Sequence, residues 1–166
     1  MEGIDMSLTF NVSEILEMAI EIERNGQKFY KKAAQIVAGP DVKKFLLDIA
    51  DMEVKHEKIF REMKEQVGES QAKVFDPDNE ASLYLQAMAD GNVFDLKTDL
   101  SRKLTGKEPV DQIFKMAVQA EKDSIVYYVG LEDYVDGKEN KEKVDKIIEE
   151  EKGHIIALYN QLRQYK

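Results

Sequence analysis

From Asp41 to Val67 the chain contains neither proline nor glycine, and three further stretches of similar length are each interrupted by a single glycine. The residues that break regular structure collect between them: "AGPD" at 38–41, Gly68, "DPDN" at 76–79, "TGKEPVD" at 105–111 and "DGKEN" at 136–140. Unbroken runs this long are too long for strands and suit helices. The spacing predicts helices over about 12–38, 41–67, 109–136 and 139–165, the first capped by Asn11 with Glu14 three residues on. Residues 69–108 are less regular, with one short helix expected in "NEASLYLQAMADG" (79–91), capped by Asn79 and stopped by Gly91, and a second candidate in "VFDLKTDLSRKL". A segment of that length suits a crossover along bundle helices roughly 40 Å long at 1.5 Å per residue. The expectation is one all-α domain over 1–166, a four-helix bundle of two antiparallel hairpins joined by a long crossover.

One seam follows each helix at alternating spacings of three and four. In the first it is Leu16, Ala19, Glu23, Gly26, Tyr30, Ala33 and Val37; in the second, Val42, Leu46, Ile49, Glu53, His56, Phe60, Met63 and Val67. The third reads Phe114, Ala117, Glu121, Ser124, Tyr128, Leu131, Val135, and the fourth Val144, Ile147, Glu151, His154, Leu158. Each seam is apolar except near its middle, where glutamate and histidine interrupt it.

Those interruptions repeat. A shift of 98 lays "AIEIERNGQKFY" (19–30) on "AVQAEKDSIVYY" (117–128) and "IADMEVKHEKIF" (49–60) on "IIEEEKGHIIAL" (147–158). Glu23, Tyr30, Glu53 and His56 thereby fall on Glu121, Tyr128, Glu151 and His154, whereas Glu21 falls on Gln119 and Glu57 on Ile155. Helical spacing selects the same acids. Glu23 and Glu53 are equidistant from the turn at 38–41, and Glu121 and Glu151 from the turn at 136–140. Residues equidistant from the turn of a helical hairpin lie level. Each Glu-x-x-His places both side chains on one face. Packed together, the hairpins would gather four carboxylates and two imidazoles at mid-bundle.

Uncompensated burial of four carboxylates is prohibitive, because each ionised group out of water costs several kcal/mol. Two divalent cations would balance them. The chain has no cysteine, which excludes thiolate sites, disulfides and iron–sulfur clusters, so any metal must use oxygen and nitrogen ligands. Hard carboxylates with one imidazole per ion favour iron or manganese over closed tetrahedral zinc. A net charge of -9, without a basic block, argues against nucleic-acid partners. No segment reads as a leader or a membrane span, and the expectation is a soluble cytoplasmic protein.

At these residues the chain resembles the ferritin-like superfamily and, within it, the rubrerythrin-type di-iron proteins. The motifs that carry the resemblance are the two Glu-x-x-His sites and the "E…FY" and "E…YY" phrases with tyrosine seven residues after the glutamate. The resemblance implies two iron ions, with manganese possible and no haem, held by Glu23, Glu53, His56, Glu121, Glu151 and His154, with Glu53 and Glu151 bridging. It implies redox chemistry with dioxygen or hydrogen peroxide, in oxidative-stress defence or iron oxidation. Two departures matter. The four-cysteine rubredoxin-like domain usual in rubrerythrins is absent, so electrons would come from a separate donor protein. Ser124 also stands where rubrerythrins carry an extra carboxylate, leaving a generic six-ligand site.

Tyr30 and Tyr128, two turns beyond Glu23 and Glu121, are candidates to hydrogen-bond the ligating carboxylates, or else amphipathic core residues. Gly26 and Ser124 either allow close helix packing, the preferred reading for Gly26, or leave a pocket for the oxidant. Glu17, Glu21, Glu57, Glu149 and Glu150 read as solvated surface, and Met52 and Met116 as core filler. The expected oligomer is a homodimer. Iron storage in a many-subunit shell, or metals that merely hold a helical bundle together, are the alternative functions.

Overall fold

The computed structural model describes residues 11–68, 80–89 and 99–165. Four long helices, α1 (Val12–Ile36), α2 (Pro40–Val67), α4 (Val110–Leu131) and α5 (Lys138–Leu162), form the bundle, and a short α3 (Glu80–Ala89) lies between α2 and α4 in sequence. No strand occurs among the described residues. The Asn11 side chain accepts the Glu14 amide at 2.8 Å and so caps α1. Pro40 opens α2, where its missing N–H leaves no bond unmade.

Helix ends differ from the sequence expectation by up to five residues. After Leu131, α4 tightens into a 3-10 turn, Glu132–Tyr134, and Val135 is extended. Glu132 and Asp133 sit at the negative end of the helix dipole, which disfavours continuing it. Gly137, at φ +85, then reverses the chain in a conformation that side-chain-bearing residues rarely adopt. At the C-terminus α5 gives way to a 3-10 turn, Arg163–Tyr165.

In the crossover, α3 occupies the expected helical stretch, although its expected cap Asn79 and stop Gly91 lie outside the described residues. Its Tyr84 hydroxyl donates to the Val126 carbonyl at 2.7 Å, and a Cβ at Gly130 would meet the Tyr84 ring at 2.5 Å, so a glycine lets α3 close on α4. The second candidate helix is seen only as a 3-10 turn, Leu100–Lys103, the rest of it lying outside the described residues. That turn packs on α1, where Lys32 Nζ donates to the Ser101 carbonyl at 2.7 Å.

Among the described residues the core is two apolar clusters rather than one. The first joins Ile15, Leu16, Phe60, Met63, Tyr127, Leu131, Val144 and Ile147 at one end of the bundle. The other joins Phe29, Ala33, Leu46, Ile49, Phe114, Ala117 and Leu158, with Met116 packed against it. Fully burying one large apolar side chain contributes about 1.5–3 kcal/mol, so each cluster can hold its end of the bundle shut. The polar interruptions of the seams lie between them.

Candidate metal centre

Glu23 on α1, Glu53 and His56 on α2, Glu121 on α4, and Glu151 and His154 on α5 converge in that intervening layer. Glu23, His56 and Glu151 are fully buried, and the other three are at most 9% exposed. Ligand atoms of Glu23, Glu53, His56 and Glu151 all lie within 4.8 Å of one another, and so do those of Glu53, Glu121, Glu151 and His154. Glu53 and Glu151 belong to both groups. Two cation positions sharing two carboxylates are therefore geometrically available.

Both imidazoles present Nδ1 to the cluster. His56 Nδ1 lies 2.9 Å from Glu151 Oε1 and 3.5 Å from Glu23 Oε2, and His154 Nδ1 lies 3.2 Å from Glu151, 3.4 Å from Glu53 and 3.5 Å from Glu121. The short His56–Glu151 distance is not a hydrogen bond, because His56 Nδ1, Glu151 Oε1, Glu23 Oε2 and Glu53 Oε1 are all buried without a hydrogen-bond partner. Leaving such atoms unmade costs about 1–3 kcal/mol each, more when charged. Lone pairs converging on a common space are what a hard cation requires, so the residues fit two M²⁺ ions.

The tyrosines cross between hairpins. The Tyr30 hydroxyl of α1 donates to Glu121 Oε1 of α4, and the Tyr128 hydroxyl of α4 donates to Glu23 Oε1 of α1. In Glu23 the bond occupies Oε1 and leaves Oε2 facing His56, whereas in Glu121 the bonded Oε1 is also the oxygen 3.5 Å from His154 Nδ1. Burial first, then the charges of neighbouring glutamates, hold both phenols well above their ordinary pKa, so both stay protonated donors.

Without cations the carboxylates are frustrated. Burial, then the charges of Glu23 and Glu121, push Glu53 well above the ordinary carboxylate range; burial, then Glu121 and Glu53, do the same to Glu151. Burial by itself would lower the His56 pKa, but its contacts with Glu23 and Glu150 raise it overall. Groups raised on folding stabilise the fold fully below their unfolded pKa and lose that contribution as pH rises through the folded value. Burial by itself would raise Glu121, but its neighbours Glu151 and His154 lower it overall, and its effect appears only as pH falls through its depressed value. The metal-free protein should therefore melt at lower temperature at pH 8 than at pH 5. Added metal should remove or reverse that slope, because binding requires deprotonated ligands. A metal-free Tm that rises with pH over this range would contradict the buried-proton account.

A cavity of about 50 Å³ adjoins the second ligand group, with Glu53, Glu121 and Tyr30 in its wall. It has room for a few water-sized molecules. Gly26 and Ser124 line it, together with Ile22, Phe29 and Leu100. Gly26 also serves close packing of α2 on α1: a Cβ there would stand 2.5 Å from Glu53 Oε2 and 3.3 Å from Glu53 Cδ, so the missing side chain makes room for a candidate ligand carboxylate. Ser124 turns its hydroxyl back to the Ala120 carbonyl at 2.9 Å.

Two acids assigned to solvated surface are not solvated bystanders. Glu57 bridges Arg24 at 2.6 Å and Arg61 at 3.0 Å with a side chain only 13% exposed, clamping α1 to α2. Glu150 Oε2 lies 2.7 Å from His56 Nε2. Glu149, by contrast, is exposed and pairs with Lys152. Asn25 was also missed; it is buried, lines the cavity beside Gly26, and falls on Asp123, also in the cavity wall, under the shift of 98.

The sequence profile of the rubrerythrin family matches residues 14–162. Among solved structures, a protein from Thermotoga maritima described as a ferritin-like diiron-carboxylate protein superposes with a TM-score of 0.71 at 26% identity, over 95% of this chain and 98% of that one. A hypothetical protein from Pyrococcus furiosus shares the fold with a TM-score of 0.67 at 23% identity, over 95% and 92% of the two chains. No curated protein matches the sequence.

Proposed function

Because the chain belongs to the rubrerythrin family, we propose that it holds two iron ions at mid-bundle and uses them to react with hydrogen peroxide or dioxygen, taking electrons from a separate donor protein. Glu23 and His56 hold one ion and Glu121 and His154 the other, with Glu53 and Glu151 shared between them. The observation that carries this reading is the convergence of buried carboxylates and imidazoles into two groups with two members in common, with atoms of Glu23, Glu53, His56 and Glu151 left unpartnered. The diiron-carboxylate description of the Thermotoga maritima protein supports iron as the metal.

Bound iron supplies a Lewis-acidic position for the oxidant and the electrons that reduce it. The rest falls to the chain's own side chains. Tyr128 and Tyr30 hold Glu23 and Glu121 across the bundle, so these carboxylates meet their ions pre-oriented. Ile22, Phe29 and Leu100 give the cavity an apolar wall, and its volume of about 50 Å³ restricts it to small molecules. Tyr30, in the cavity wall, has its one hydroxyl proton committed to Glu121, so toward a molecule held there its oxygen is an acceptor.

Protein loaded anaerobically with Fe(II) should develop ferric absorption promptly on mixing with peroxide or air. An unchanged spectrum would reduce the metals to structural pins, and elemental analysis finding less than one metal per chain would remove the reading altogether. Native mass separates the expected homodimer from the many-subunit shell that iron storage demands.

A further inference from the structure

The internal repeat makes the two cation positions equivalent in their ligands, but not in what stands behind those ligands. His56 has its Nε2 at 2.7 Å from Glu150 Oε2, a carboxylate reaching across from α5 to α2. With Nε2–H donating to Glu150, the imidazole is fixed as the tautomer whose Nδ1 lone pair faces Glu23 and Glu151. A shift of 98 places Met52 where the other half would need the matching acid. A thioether is a weak acceptor, and the Met52 sulfur already faces Lys55 Nζ at 3.8 Å. Accordingly, every close polar contact of His154 among the described residues is made by Nδ1, and its Nε2 has no protein partner among them. The cavity falls on that less supported side, with Glu121 in its wall and neither Glu23 nor His56.

We propose that the two positions bind cations unequally: Glu150 is a positioning residue that anchors His56, so the position at Glu23 and His56 takes the tighter cation, and the position at Glu121 and His154, beside the cavity, takes the weaker, exchangeable one. The inference rests on the two-metal reading above. Its physical basis is that a carboxylate behind a ligating imidazole fixes ring orientation and raises ligand basicity, and losing such a partner typically lowers metal affinity 10- to 100-fold. The division places the exchangeable ion where small molecules can arrive.

Anaerobic Fe(II) binding to the full chain, followed by calorimetry, tests this. The wild-type isotherm should show two resolved steps. Glu150→Ala should weaken the tighter step by roughly 10- to 100-fold and leave the weaker one in place, bringing the two together. Glu150→Gln, which keeps an acceptor but loses the charge, should fall between; Glu149→Ala should shift neither step. Far-ultraviolet circular dichroism confirms that each variant keeps its helices. Two indistinguishable wild-type steps, an unchanged isotherm in Glu150→Ala, or equal weakening of both steps, the mark of a general charge effect, would each overturn the asymmetry while leaving the two-metal reading intact. A wild-type protein that binds no Fe(II) would overturn both.

Discussion

Glu151→Ala should empty both cation positions, whereas Glu149→Ala, two residues earlier in the same acidic run, should leave metal content unchanged. Glu151 belongs to both groups that could hold a cation, so its loss would remove an oxygen from both positions at once. It also leaves His56 Nδ1 without its 2.9 Å neighbour. Glu149 is 70% exposed in its side chain and pairs only with Lys152 on its own helix, a contact worth a few tenths of a kcal/mol at most. The metal-free form of Glu151→Ala should still fold, and should melt no lower than metal-free wild type, because one of four crowded carboxylates has been removed. Elemental analysis and thermal melts with and without chelator read both effects. Equal metal loss in the two variants would refute the assignment of Glu151 as the shared ligand.

Gly26→Ala should also separate metal binding from folding, without removing a ligand. Glycine inside a helix costs roughly 0.5–1 kcal/mol relative to alanine, so by propensity the substitution stabilises α1. The added Cβ, however, would stand 2.5 Å from Glu53 Oε2, and that carboxylate has to withdraw. Moving the end of one side chain is tolerable for the fold but not for a ligand shared by two ions. The variant should therefore keep or raise its metal-free Tm while losing most of its metal. Ser124→Ala serves as the comparison: the equivalent place in the second hairpin already carries a Cβ, and its hydroxyl bonds only its own helix. Full metal content in Gly26→Ala would show that Glu53 has another productive position.

Glu151 matches Glu53 in the repeat whereas Gly26 faces Ser124, and this contrast bears on what was legible in advance. The four helices could be read because breakers and seams are local, and the level meeting of Glu23 with Glu53 and of Glu121 with Glu151 could be read because distance from a turn fixes height along a hairpin. The tyrosines could be placed beside the ligands by the same spacing, but not assigned to particular carboxylates. That Tyr30 reaches Glu121, and not Glu23 on its own helix, depends on how the two hairpins face each other. Glu150 was misread for a related reason. It flanks the seam of α5, and whether a flanking residue meets solvent or the neighbouring helix depends on the rotation of α5 about its axis against α2. Glu57 and Arg24 illustrate the same point between α1 and α2.

The sequence alone determined the helices, their pairing into hairpins, and the level at which four glutamates and two histidines gather, because these follow from spacing along one chain. The tertiary structure alone decided which tyrosine holds which glutamate, that Gly26 makes room for Glu53, and that His56 has a carboxylate behind it while His154 has none among the described residues. Those outcomes are set by helix rotation and crossing, which arise from packing between residues far apart in sequence and leave no mark on local periodicity.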